Sequence, residues 1–448
     1  MHKRVCAALF ALLLSASLVP VPARAAAGVS ATIPTYTWEL EYENIDYKNS
    51  LYPPLNYKGV TYFPMTWGYC RLLGLTSVWI DGEGLFIASW GSYGPAAGDE
   101  FPTYPAAKNT RSVTATLANY PIYVNGKKID NSKEEYPLLS FRGVTYFPMT
   151  WRFAREEFNW DTDWSQEENR FSVHWQIDSD VSTRTEVYEQ SDTAAYLVQY
   201  ESRNVQIGVT EQGDAVYTTK TAQKFYALDF ATGELRESEE RASYESWANG
   251  ETDGLPAGRL PEGVTIRTDV EYTESPYVIP APYTPFIARG YVTVDGTEYP
   301  IGEGSDADEG GCGVTITDAV RAGDYVFCNA RRYTGFKHWT NPNYELYRID
   351  PAKGTVERLD TKYENYASMK LLGCVDGALC LKCQQGAEQG FNTEMEASAY
   401  NDGYFAMDLA TGKLKLLRRF VYTDGDILTP GGQIYGIFDW KGTVEKLY

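Results

Sequence analysis

The chain has 448 residues, with 40 Lys and Arg against 60 Asp and Glu, giving a formal charge of −20 at neutral pH. That balance repels phosphate backbones and removes the electrostatic basis for nucleic-acid binding. The length exceeds one compact core, so two or three domains are expected, and 35 Tyr and 11 Trp among frequent Gly and Pro turns point to β-rich structure.

Residues 1–26 read as a secretory signal peptide. Lys3 and Arg4 form a basic start, Val5 to Val19 is an apolar run, and Ala23-Arg24-Ala25 is a small-x-small cleavage site. The run is too short for a membrane span, and Cys6 lies inside it rather than after the cut, so neither a retained anchor nor a lipid anchor is expected. Cleavage takes three positive charges from −20 and leaves −23.

The nonamer GVTYFPMTW occurs at Gly59 to Trp67 and again at Gly143 to Trp151. Around it, 31–67 and 115–151 agree at 17 of 37 positions at a constant offset of 84, and after one inserted residue Trp79 aligns with Trp164, Phe86 with Phe171 and Trp90 with Trp175. Two modules of about 60 residues are expected, at 31–90 and 115–176. In the second, Tyr136 to Phe141 and Val144 to Phe147 flank an Arg142-Gly143 turn, so they form a hairpin whose glycine supplies a positive φ. Pro148 ends the strand and Thr150 caps a helix in which Trp151, Ala154 and Phe158 share one face. Trp160 to Trp164 and Arg170 to Trp175 add two strands, and Asn125-Gly126 signals an entry hairpin. The predicted order is ββαββ with an entry hairpin, an α+β module. The first copy has Tyr42-Glu43-Asn44 in place of the Asn-Gly turn, so its entry hairpin carries the weaker signal. The repeat register of Trp67, Trp79, Trp151 and Trp164 predicts that they fill module cores.

The segment IYVNGKKIDNSKEEYPLLSFRGVTYFPMTWRFAREEFNW resembles the copper amine oxidase N-terminal-like domain, a stalk-type module of exported proteins from Gram-positive bacteria. The resemblance covers residues 31–90 and 115–175. It implies tandem α+β stalk modules with a spacer or binding role, and neither catalysis nor copper. Thr340-Asn-Pro-Asn343-Tyr344-Glu345 also fits the pattern in which true copper amine oxidases convert a tyrosine to a quinone. That chemistry needs three histidines around copper, and after residue 26 the chain has only His174 and His338. Tyr344 is therefore read as an ordinary strand residue. The same scarcity of histidine speaks against Ser-His-Asp or Cys-His catalysis, and no phosphate-binding loop, dinucleotide fingerprint or G-x-S-x-G elbow is present.

Six cysteines follow the signal: Cys70, Cys312, Cys328, Cys374, Cys380 and Cys383. An even number permits disulfides, whose connectivity the spacing leaves open. Cys380 and Cys383 lie in a strand-like run, where positions three apart face opposite sides, unsuited to a redox or zinc pair. Asp306, Asp308 and Glu309 between glycines offer oxygen ligands for calcium but lack the remaining EF-type positions, so a solvated acidic loop is expected.

From residue 185 to 448 a second repeat appears. Tyr226-Ala-Leu-Asp229, Tyr347-Arg-Ile-Asp350 and Phe405-Ala-Met-Asp408 are each followed four residues later by Gly233, Gly354 and Gly412, and a shortened copy runs from Tyr435 through Asp439 to Gly442. Each reads as strand, Asp-to-Gly turn, strand, the outer hairpin of a β-propeller blade. An all-β, propeller-like domain is expected, a β-sandwich being the alternative, with an interruption over residues 237–285. No catalytic, cofactor or metal residue is assigned. The expected role is a secreted or envelope protein, not an enzyme, that presents its β domain to a protein or cell-wall glycan. The alternative is an extracellular hydrolase working through carboxylates of the C-terminal domain.

Overall fold

A computed structural model describes residues 28–91, 101–175, 181–209, 215–249, 260–272, 286–302, 312–334, 343–359, 368–384 and 402–448. Residues 1–26, expected to be a signal peptide, the Asp306 to Glu309 segment and His338 lie outside them.

The ββαββ order holds in both copies: strands Leu55–Tyr57 and Val60–Pro64, helix Trp67–Leu72, strands Leu75–Ile80 and Gly84–Ser89, then the equivalents Leu139–Phe141, Val144–Pro148, a helical turn Arg152–Glu157, Trp160–Ser165 and Arg170–Trp175. The copies do not stand as tandem beads. Strands Gly28–Thr32, Leu55–Tyr57, Val60–Pro64, Val144–Pro148, Leu139–Phe141 and Ser112–Leu117 close one six-stranded barrel drawn from both. Within it Phe63 pairs with Phe147 and Ser30 with Thr114, each residue facing its own repeat equivalent. The repeated nonamer is thus the seam of a pseudo-twofold axis, an isologous interface inside one chain.

The flanking hairpins are exchanged as well. The exit hairpin of the first copy pairs in parallel with the second copy's entry strand Ile122–Val124, and the second copy's exit strand Arg170–Trp175 pairs in parallel with Thr37–Leu40 of the first. One core results, with Trp38, Phe63, Tyr69, Phe147, Phe153, Phe158 and Trp160 all buried together. Phe63 lies 4.9 Å from Trp160 and 5.4 Å from Trp38, ring centre to ring centre. A module of this size buries too little surface to stand alone, and interlocking two removes both free sheet faces and free barrel edges. The tandem α+β expectation is corrected accordingly: helix amounts to a short turn or two per copy, and the unit is one intertwined, mostly β double module.

Two local expectations are also corrected. Trp67, Trp79, Trp151 and Trp164 are 49%, 46%, 71% and 49% exposed, and the buried tryptophans are Trp38, Trp90 and Trp160 instead. Strand alternation buries Val78 and Ile80 and so turns Trp79 outward. In the second copy the helical turn is a π-helix, with the Phe158 amide donating to the Phe153 carbonyl; its wider coil points Phe153 and Ala154 inward and leaves Trp151 outside. Thr66 caps its helix by accepting from the Tyr69 amide, whereas the π-turn has no side-chain cap, so Thr150 does not play that role. The entry hairpin of the first copy does form, although Glu41 and Tyr42 must both take positive φ (45° and 66°) where the second copy uses Asn125 and Gly126. Contacts hold the strained pair: Tyr42 stacks on His174 at 4.3 Å, and the Glu41 carboxylate accepts from the Trp175 amide.

The remaining described residues are mostly β. The first sheet comprises strands at 181–190, 194–209, 215–229 and 235–238; the second, strands at 264–272, 286–294 and 297–301; the third, 312–322, 325–334, 343–350 and 355–359; the fourth, 368–375, 378–384, 403–408 and 414–419; the fifth, 425–428, 434–438 and 443–446. The second and third are two halves of one seven-stranded sheet, joined by a short parallel pairing at Ile287 and Ala288. Successive sheets share apolar cores from the second through the fifth, and the fifth packs on the first through Ile427, Tyr435, Ile437, Ala195 and Leu197. This is a propeller-like array. Each predicted Asp-to-Gly turn joins the last two strands of a sheet: Gly233, Gly354, Gly412 and Gly442 all have positive φ, and Asp229 and Asp408 accept backbone N–H groups three residues on. The expected interruption is shorter than predicted, since Ala242–Ala248 is a helix on the first sheet and Val264–Tyr272 a strand of the second.

Cys380 packs between the fourth and fifth sheets and Cys383 between the third and fourth, on opposite faces as strand geometry requires. Cys70, Cys328, Cys374, Cys380 and Cys383 are free thiols, and burial pushes Cys380 up to about 11 and Cys70 up to about 12. Neither is a reactive thiolate at neutral pH. Tyr344 lies in strand Asn343–Asp350, paired with Arg331, and its neighbour Glu345 is held by Arg332 at 2.9 Å and accepts from the Tyr347 hydroxyl at 2.5 Å. The carboxylate of the quinone-like motif is thereby committed to a structural ion pair.

Candidate functional site: a cleft between the double module and the propeller-like array

The double module docks against the last two sheets. Phe420, 1% exposed, enters a pocket of Val78, Ile80, Phe86 and Ala88, its ring 5.4 Å from that of Phe86. Gly126 of the entry turn is required twice over here. Its φ is 75°, and a Cβ on it would meet the Val421 side chain at 2.4 Å. Around the plug, Arg419 makes two bonds of 3.1 Å to Glu83, and Lys127 pairs with Glu445.

Beside this contact a cleft of about 620 Å³ opens. The double module contributes Lys127, Trp151, Arg155, Glu156 and Glu157; the first sheet contributes Ser182 and Thr183; the final hairpin contributes Asp439, Trp440, Lys441 and Glu445. The Asn-Gly turn backs one wall: Asn125 accepts from the Ser89 amide and donates to the Glu157 carboxylate at 3.0 Å, fixing that side chain. Lys441 lies 3.7 Å from Glu157 and 3.4 Å from Glu445, and its ammonium sits over the Trp440 ring at 4.8 Å. Arg155 lies over Trp151 at 5.7 Å. Two aromatic walls are therefore interleaved with charges of both signs.

The carboxyls differ in their protonation. Burial works to raise Glu445, but Lys127 and Lys441 outweigh it and hold the group below the usual range, so it is ionised at neutral pH. Asp439 goes the other way. Burial, reinforced by the nearby Asp424 carboxylate, lifts it to about 6, although it accepts from the Thr185 amide at 2.6 Å. A folded-state pKa above the unfolded value of about 3.9 means that the native state binds the extra proton, so stability falls as pH rises through the window between the two. Asp439→Asn is expected to flatten the thermal-unfolding midpoint between about pH 4 and 6. A variant whose midpoint keeps the wild-type slope across that window would show that the group does not titrate there.

A second constellation lies between the fourth and fifth sheets. Asp426, fully buried, accepts from Tyr404 at 2.6 Å and Thr423 at 2.7 Å and lies 3.2 Å from Lys370 and 3.4 Å from Lys382. The Asp426 and Lys382 side chains are 1% and 7% exposed and Lys370 is 34% exposed, so the cluster is a buried ion-pair network, which marks it as structural.

None of the cleft residues was given a functional role from the sequence: Trp151 was expected in a module core and Asp439 at a hairpin turn. A signal was available: the three longer turns read Asp-Phe-Ala-Thr-Gly, Asp-Pro-Ala-Lys-Gly and Asp-Leu-Ala-Thr-Gly, while the last, Asp439-Trp440-Lys441-Gly442, is one residue shorter and puts a tryptophan and a lysine at its tip. The acidic loop at Asp306, Asp308 and Glu309 lies outside the described residues, among which no group of three or more His, Cys, Asp or Glu is placed to hold a metal ion.

No family model and no curated protein matches the chain. Among solved structures it is similar to an oligogalacturonate lyase in complex with manganese, at 14% identity and a TM-score of 0.23 over 69% of this chain and 81% of that one. An oligogalacturonate lyase from Vibrio parahaemolyticus aligns at 13% identity and a TM-score of 0.22 over the same shares, and an apocarotenoid oxygenase mutant from Synechocystis at 12% and 0.19 over 62% and 61%.

Proposed function

We propose that the protein is a secreted or cell-envelope binding protein, not an enzyme, whose double module and propeller-like array jointly hold a segment of a protein partner in the cleft between them. The observation that carries this reading is the composite lining: two tryptophans interleaved with Glu157, Glu445, Lys441 and Arg155. A peptide offers apolar side chains and charges of both signs within a few residues, whereas a uniformly charged polymer would leave half of these groups opposed. Trp151, which is 71% exposed, and the half-buried Trp440 are large aromatic anchors, a residue type in which interface energy concentrates. Export follows from the signal-like residues 1–26. In the test, the full mature chain captures a partner from envelope extracts, and Trp151→Ala with Trp440→Ala is expected to weaken that capture by about 2 kcal/mol or more per anchor. Equal capture by the double variant and the wild type would remove the cleft from the reading.

The hydrolase reading keeps one supporting observation. Asp439, raised to about 6, and the ionised Glu445 line the same cleft, and a carboxyl of raised pKa working with an ionised carboxylate is the division of labour that glycoside hydrolysis uses. Release of reducing ends from envelope polysaccharide, abolished by Asp439→Asn, is the result that would favour it over binding.

A further inference from the structure

The double module carries two copies of one surface arrangement. Trp79 packs edge-on against Tyr120 at 5.2 Å and 82°, and Trp164 packs edge-on against Tyr36 at 5.3 Å and 80°. Behind them the Tyr120 hydroxyl lies 2.6 Å from the Thr145 hydroxyl and the Tyr36 hydroxyl 2.7 Å from that of Thr61. The two threonines are the third residues of the two nonamers. Each trio draws its tryptophan from one copy and its tyrosine and threonine from the other, so the exchange of hairpins creates both sites at once.

Packing does not explain why both are kept. Trp79 and Trp164 are 46% and 49% exposed, and large indole faces left in water are a cost rather than a gain in stability. Copies that differ at 20 of the 37 positions aligned over 31–67 and 115–151 nevertheless keep Tyr36/Tyr120 and Thr61/Thr145 identical there, and Trp79/Trp164 beyond the inserted residue. The indole N–H of Trp79 donates to Asp81 at 2.9 Å, which holds the ring in place, and Asp163 is the exposed neighbour of Trp164. A rigid aromatic face beside a carboxylate suits a ligand with an apolar ring face and hydroxyl donors at its rim. The chain's charge of −20 repels an acidic polymer.

We propose that these two sites are equivalent stacking subsites for the sugar rings of an uncharged polysaccharide, which one polymer engages together. The inference concerns a surface separate from the cleft and does not depend on it. Affinity electrophoresis of the full mature chain tests it, with hydroxyethylcellulose, galactomannan or glycol chitin in the gel and polygalacturonate as the charged comparison. Retardation is expected in at least one uncharged gel and not in polygalacturonate. Trp79→Ala or Trp164→Ala alone reduces a two-point attachment to one and is expected to weaken binding roughly 100-fold, and the double variant to abolish it. Trp79→Tyr, which keeps an aromatic face, retains most of the binding. The proposal is overturned by migration unaffected in all three uncharged gels, by equal retardation in polygalacturonate, or by a folded double variant that binds like the wild type.

Discussion

Phe420→Ala is expected to destabilise the chain by about 3–5 kcal/mol, the range for truncating a buried phenylalanine, and to release the double module from the propeller-like array. Phe420 sits between the fourth and fifth sheets with φ at 46°, a conformation costing an ordinary residue roughly 1–2 kcal/mol, so the fold holds it there against its own preference. The return is the filled pocket of Val78, Ile80, Phe86 and Ala88. Alanine keeps the strained backbone and loses the side chain that compensates for it. The ion pairs at the same contact are weaker holds: Glu83 is about half exposed, so its bonds with Arg419 are worth about 0–1 kcal/mol. Arg419→Ala should therefore cost far less than Phe420→Ala. Denaturant unfolding followed by tryptophan fluorescence, with limited proteolysis to report undocking, measures both. If Arg419→Ala proves the more damaging, the contact is electrostatic and the plug argument fails.

Asp426→Ala should cost a comparable amount, about 3–5 kcal/mol, for a different reason. In the native chain burial pushes Asp426 upward, but Lys382, Lys370 and the hydroxyls of Tyr404 and Thr423 more than offset this and hold it well below the usual carboxylate range. A depressed folded-state pKa gives stability that is complete above the unfolded value of about 3.9 and is lost as pH falls below it. The wild type should thus lose stability on acidification through this group, and the variant should lack that part of the acid limb. Removing the carboxylate leaves the buried Lys382 ammonium with Thr423 as its remaining close partner, and burial already lowers its pKa. The variant is then expected to recover stability as pH rises and Lys382 gives up its proton. The paired change Lys382→Met with Asp426→Leu should cost less than Asp426→Ala, because no uncompensated charge remains. A loss under about 1 kcal/mol for Asp426→Ala, with no alkaline recovery, would count against this account.

Local structure was largely readable from residue order. The Arg142-Gly143 and Asn125-Gly126 turns, the Asp-to-Gly hairpins and the opposite facing of Cys380 and Cys383 each depend on a few neighbouring residues, and the ββαββ order on a succession of such local signals. The tryptophans were misjudged for a related reason. Repeat register shows that a position matters in both copies, and an exposed position kept in both gives the same pattern as a buried one. The π-turn at Arg152–Glu157 and the alternation around Trp79 decide which way Trp151 and Trp79 point.

The sequence by itself determined that the chain is acidic, largely β, built from one duplicated unit and one family of Asp-to-Gly hairpins, because these follow from composition and short-range backbone chemistry. Tertiary structure alone decided that the two copies close one barrel with exchanged hairpins, that Phe63 meets Phe147 across the seam, and that Trp151 and Trp440, 289 positions apart, line one cleft. The physical reason is that strand partners are chosen by burying apolar faces across long stretches of chain. An exit hairpin finds the same chemistry in its own copy's entry strand and in that of its twin, and only the closed barrel selects between them.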